Sequence, residues 1–140
     1  MIIMKKICIL LSIILCISLF TGCSNTGNVS NAEIVTIESK IYSQEEILDA
    51  IDVVKAEFVG FTGCTLTKIG YIGDEKMLDY LSDEVLDNPP YIILDCEFST
   101  SESSAEDGFN GNETYQYGWW KWYLEKDALG NWKIDNYGVA

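Results

Sequence analysis

Tyr115–Leu124 reads YQYGWWKWYL, and the way this stretch pairs decides the fold. It holds three of the four tryptophans, and the fourth, Trp132, follows closely. Aromatic side chains favour strands and bury large areas, so the stretch reads as a central or long paired strand of a small sheet. At a period of two, Tyr115, Tyr117, Trp119, Lys121 and Tyr123 share one face. Gln116, Gly118, Trp120, Trp122 and Leu124 share the other. Both faces are aromatic. One is expected to pack on a helix while the other lines a concavity or an exposed platform; the alternative is a second face that is simply covered.

Downstream, Asp127–Gly130 reads as a turn and Asn131–Tyr137 as the returning strand. Setting residue 124 opposite 132 places Lys121 opposite Asp135 and Trp119 opposite Tyr137, with matching parity on both faces. Upstream, Tyr91–Ser99 alternates well. Ile92, Leu94, Cys96 and Phe98 point one way, while Ile93, Asp95, Glu97 and Ser99 point to a solvated face. The segment between, Thr100–Thr114, is rich in serine, acids, glycine and asparagine and reads as a long mobile loop. Its Asp107–Glu113 run offers oxygen ligands, but not at the alternate positions an EF-hand needs. No metal and no cofactor are expected.

Tyr42–Gly60 has the clearest helical pattern. Ser43 and Glu46 form a capping box, Ile47, Ile51, Val54 and Phe58 make one apolar stripe, and Gly60 stops it. Cys64–Ile72 reads as a strand with a change of phase near Lys68 that fits a bulge. Asp74 is expected to cap a second, short helix with Met77, Leu78, Leu81 and Val85 on its apolar face. Asn88-Pro89-Pro90 ends it, because proline removes a donor and disfavours helix in the preceding residue. The order predicts an α+β domain, a long N-terminal helix and a short one packed on a curved, mainly antiparallel sheet.

The first 22 residues read as a signal peptide. Lys5 and Lys6 precede the apolar run Ile7–Phe20, which is short of the roughly 20 residues a membrane span needs. Its end, Phe20-Thr21-Gly22-Cys23, resembles the lipobox of bacterial lipoproteins, which implies acylation of Cys23 with chains such as palmitate and anchoring on the outer side of the cell membrane. An ordinary cleaved signal or an uncleaved anchor are the alternatives. Residues 23–40 then form the lipidated cysteine and a flexible tether, within which Ile34–Ile37 is a candidate edge strand, and 41–140 the single domain.

Removing residues 1–22 takes away two lysines and no acid, so the formal net charge of −13 becomes −15. There is no arginine and no histidine. Phosphate backbones need clustered cations, so nucleic acid is excluded as a partner. Two cysteines remain after the signal and Cys23: Cys64 and Cys96 are either a disulfide, which export permits, or two buried free thiols.

With the lipobox, Gly63-Cys64-Thr65-Leu66 and the closing Tyr123-Leu124-Glu125-Lys126-Asp127 followed by Gly130-Asn131-Trp132-Lys133-Ile134 in view, the chain resembles uncharacterised lipoproteins of Gram-positive bacteria. Their domains are similar to the nuclear-transport-factor-2-like or cystatin-like α+β folds. The resemblance implies fold and location and transfers no catalytic residue. The function expected is non-catalytic binding of a ligand or protein through Tyr115, Tyr117, Trp119, Tyr123 and Tyr137, since Tyr and Trp are typical anchors. Two alternatives are a small pocket enzyme with Asp95 or Glu97 as general base and Lys121 as electrophile, and a cystatin-like protease inhibitor.

Overall fold

In the computed structural model, which describes residues 26–140, five strands form one mixed sheet with few helices, an α+β arrangement. The expected signal peptide and the lipid attachment at Cys23 lie outside the described residues. The strands are β1 (Glu33–Val35), β2 (Cys64–Tyr71), β3 (Tyr91–Thr100), β4 (Thr114–Lys126) and β5 (Trp132–Val139), side by side in chain order. β1 runs parallel to β2, and the other neighbours are antiparallel. Among the described residues no helix is long and apolar enough to cross a membrane.

Helix α1 (Gln44–Phe58) starts where its sequence dictates: Ser43 Oγ accepts from Glu46 N, and Glu46 Oε1 accepts from Ser43 N. Ile47, Ala50, Ile51, Val54 and Phe58 bury its stripe against one face of the sheet. That face presents Leu66, Ile69 and Tyr71 from β2, Ile92, Leu94, Cys96 and Phe98 from β3, and Trp120, Trp122 and Leu124 from β4. The first turn of α1 is tied to the hairpin. Trp132 Nε1 donates to Glu46 O at 3.1 Å, and Lys126 Nζ reaches Glu46 Oε2 at 3.1 Å while lying 5.0 Å from the Trp132 ring centroid. Burial opposes the Glu46 charge, but the Ser43 amide and the Lys126 ammonium outweigh it and lower its pKa.

The stretch expected to be a free tether is part of the domain from Gly27 onward. Gly27 N donates to Val59 O, and Asn28 exchanges backbone bonds with Cys64 and Leu66 beside β2. The edge strand comes from Glu33–Val35, slightly before the expected run. Polar composition misled here because this segment pairs by its backbone, which composition does not report.

The second helix is also corrected. Only α2 (Asp74–Met77) is α-helical, a separate 3-10 turn covers Asp83–Val85, and Leu78 stays 49% exposed. Gly73, not Asp74, occupies the cap position. The Asp74 carboxylate instead ties the chain before α1 to the end of β2, accepting from Ser39 Oγ (2.6 Å), Lys40 N (2.7 Å) and Tyr71 Oη (2.9 Å). Burial alone would raise its pKa, but these donors outweigh it and hold it below the ordinary value. A carboxyl lowered on folding contributes stability that is present above its unfolded pKa of about 3.9 and lost as pH falls through the folded value. Asp74→Ala should therefore be less stable than the parent in urea at pH 7, with the gap closing below about pH 4. A gap that stays constant on acidification would rule out this account of Asp74.

The segment expected to be a mobile loop is anchored. A 3-10 stretch, Glu102–Asp107, buries Ser104, and Thr100 Oγ1 donates to Asn110 O at 2.7 Å. Phe109 packs at 5.7 Å from Phe98 and 5.3 Å from Phe61. The disulfide alternative also fails: both cysteines are free and buried. Cys64 lies opposite Thr100 and Cys96 opposite Ile69. Four strand steps from Thr100 to Cys96 amount to roughly 13 Å, beyond what a disulfide bridges. Burial pushes the Cys64 thiol up to about 11 and the Cys96 thiol up to about 12, so neither is a ready nucleophile.

Candidate functional site

Between Phe98 and Cys96, β3 has one residue, Glu97, where β4 has four, Gln116–Trp119. Gly118 sits in this bulge at φ +93°, a conformation that suits glycine. Three extra residues reverse the alternation, so Tyr115 and Trp120 share the helix-facing side. A second bulge at Asp135 lies between the pairs Leu124–Ile134 and Tyr123–Asn136. It sets Tyr137 opposite Trp122, with ring centroids 4.7 Å apart.

These two irregularities break up the expected five-residue aromatic platform. Tyr115 and Tyr137 pack with Trp120 on the helix side. Tyr117 lies on the opposite side, over Gly70, and Tyr123 pairs with Ile93 and Asn136 there. Trp119 alone is largely exposed, at 54%. The expected hairpin register is also corrected: Lys126, not Leu124, faces Trp132, and Lys121 faces Gly138 rather than Asp135.

What the bulges assemble is an aromatic cleft of about 440 Å³ beside the C-terminal end of α1. Phe61, Phe109, Tyr115, Trp120 and Tyr137 line it, with Gly60, Gly108, Glu57 and Asp107. Trp120 stands between Tyr115 (5.6 Å, 86°) and Tyr137 (5.9 Å, 26°), while Phe61 meets it edge-on at 80°. Phe109 closes the remaining side, 5.7 Å from Trp120 and 6.0 Å from Tyr115. The lining rings are therefore set at several inclinations to one another. Asp107 is fixed by Thr62 N, which donates to its Oδ2 at 2.6 Å. Glu57 and Asp107 are exposed, and among the described residues no lysine lines the cleft.

On the other side of the sheet, Asp95 is 2% exposed and forms an ion pair with Lys121 directly across the β3–β4 ladder. The expectation of a solvated Asp95 is thus overturned. Tyr117 lies close to Gly70, where a Cβ would come within 2.8 Å of its hydroxyl; burial, with Asp95 nearby, pushes that hydroxyl up to about 12. Glu97 is half-buried and accepts from Thr67 Oγ1 at 3.0 Å. The structure therefore brings Asp95 and Lys121 together, but as a buried pair that lies outside the cleft. Among the described residues no group of three His, Cys, Asp or Glu side chains is placed to hold a metal ion.

No protein-family model matches the chain, and no curated protein or solved structure matches it either. Function must be argued from the site.

Sequence reasoning named Tyr115 and Tyr137 but missed Phe61, Trp120 and Phe109 as cleft residues. One signal was available: Phe109 is the sole aromatic in the polar Thr100–Thr114 segment, and a lone large ring in such a segment needs a place to bury. Two buried side-chain polar atoms among the described residues lack partners: Tyr117 Oη, within the β4 bulge, and Trp120 Nε1, just after it. Each costs on the order of 1–3 kcal/mol, which marks the bulge as a place where stability yields to shape.

Proposed function

We propose that this chain is a lipid-anchored, extracytoplasmic binding module that holds a small ligand in the cleft between α1, the Glu102–Phe109 segment and the β4–β5 hairpin. In this reading its fold is of the nuclear-transport-factor-2-like or cystatin-like kind, and Cys23 carries the lipid. One observation carries the binding reading: five aromatic rings converge on a cleft of about 440 Å³ that keeps an open mouth. Pockets of roughly 300–1,000 Å³ with aromatic walls and few polar groups are the common form of small-molecule sites. Catalysis is less well supported. The buried Asp95–Lys121 pair lies outside the cleft, and the cleft carboxylates are exposed, with no basic side chain among the described residues lining it.

The test is a fragment screen on the full chain, read from the four tryptophan indole N–H resonances. The expected result is a set of fragments that shift the Trp120 resonance and leave Trp132 unmoved, with the shifts lost in Tyr137→Ala. A screen in which no fragment moves Trp120 selectively would overturn the binding reading. Tyr137 is 40% exposed, so its removal leaves most of the core in place.

A further inference from the structure

We infer that the cleft selects a small cation with an apolar shell, a quaternary or alkylated ammonium group. The inference rests on the binding reading above and adds the class of ligand. Three observations converge on it. The rings meet Trp120 at 86° from Tyr115, 80° from Phe61 and 26° from Tyr137, so the lining rings are differently inclined and do not form one flat surface. A sugar ring stacks best on a flat surface, whereas a tetrahedral ammonium is served by rings arriving from several directions. Aromatic faces are negative by their quadrupole, and a desolvated cation over them gains about 2 kcal/mol or more.

The second observation is the mouth. Glu57 and Asp107 both line it, and Asp107 is held in place by Thr62 N. Among the described residues no cationic side chain lines the cleft to neutralise them. The third is the field of the whole protein: a formal net charge of −13 over 140 residues steers cations inward and anions away. An apolar wall alone would accept any greasy fragment. Rings combined with two carboxylates favour one that is both greasy and positive.

Choline and its neutral carbon isostere, 3,3-dimethylbutan-1-ol, separate charge from shape. Each is titrated into the full chain, with tryptophan fluorescence and the Trp120 indole resonance as readouts. Choline should bind roughly tenfold or more tighter than the isostere, a ratio that corresponds to the cation–ring attraction. The double variant Glu57→Gln, Asp107→Asn should weaken choline several-fold and leave the isostere unchanged. Glycerophosphocholine should bind less tightly than choline, because its phosphate meets the same carboxylates. Tighter binding of glycerophosphocholine would keep the ammonium selection and move its source to a lipid head. Equal affinity for choline and the isostere would overturn the cation inference and leave the aromatic cleft as a binding site. Shifts from neither compound, in a protein whose cleft still answers to other fragments, would also overturn it. Silence from every fragment would instead sink the binding reading itself.

Discussion

Lys121→Met should destabilise the domain by about 3–5 kcal/mol, because it leaves the Asp95 carboxylate buried without its cation. Asp95 is 2% exposed, and Lys121 is the sole hydrogen-bond partner of its side chain among the described residues. The methionine keeps most of the lysine stem, so the loss reports the missing charge more than missing packing. The pair itself contributes far less than the cost of breaking it. Two charges taken out of water attract each other strongly, but their desolvation offsets most of that gain. Replacing both, as Asp95→Leu with Lys121→Met, should therefore recover most of the lost stability. Urea unfolding of the parent, both single variants and the double variant closes the cycle. A single variant within about 0.5 kcal/mol of the parent would mean that Asp95 finds water or another donor, and the buried-pair account would fail.

Trp122→Ala should cost a similar amount for a different reason. Trp122 is fully buried at the centre of β4, between Leu94 on β3 and Tyr137 on β5, and stacks on Phe61 at 5.5 Å. Its Nε1 also donates to Cys96 Sγ at 3.2 Å. Truncating such a residue loses its transfer free energy and leaves a cavity, typically about 3–5 kcal/mol in all. Against a usual total of about 5–15 kcal/mol, that brings the domain close to unfolding at body temperature. Trp119→Ala is the control. Trp119 is two tryptophans earlier in the same run but 54% exposed, and its loss should change stability by about 0.5 kcal/mol or less. Equal effects from the two substitutions would show that the alternation described for β4 is wrong.

Much of this architecture was readable before any coordinates, and the reasons are local. Ser43 and Glu46 declared the start of α1 because a capping box is a contact between residues three apart. The β2 irregularity near Lys68 and the inward set Ile92, Leu94, Cys96 and Phe98 followed from period two within single strands. What failed was non-local. Alternation along β4 gave no sign that Gln116–Trp119 would stand opposite a single residue, because a bulge is defined by the partner strand. Without that bulge, alternation puts Tyr115 on the face opposite Trp120 and spreads the cleft residues into a platform. Lys121 faces Gly138 rather than Asp135 because the hairpin closes with Lys126, not Leu124, opposite Trp132, and the insertion at Asp135 adds one further step. The sequence position of Asp74 allows a helix cap, while its carboxylate bonds Ser39 and Lys40 more than thirty positions earlier.

The backbone bond from Gly27 N to Val59 O has a consequence for reach. If Cys23 carries the lipid, as proposed, four peptide steps separate the anchor from the first docked residue, at most about 14 Å of chain. Such a leash is too short for the domain to swing freely above a bilayer. It is moored by one end, at the last turn of α1, and Gly60 and Phe61 of the cleft follow immediately from Val59. The cleft would then be held near the membrane surface, where it would sample what collects there before what drifts through the bulk.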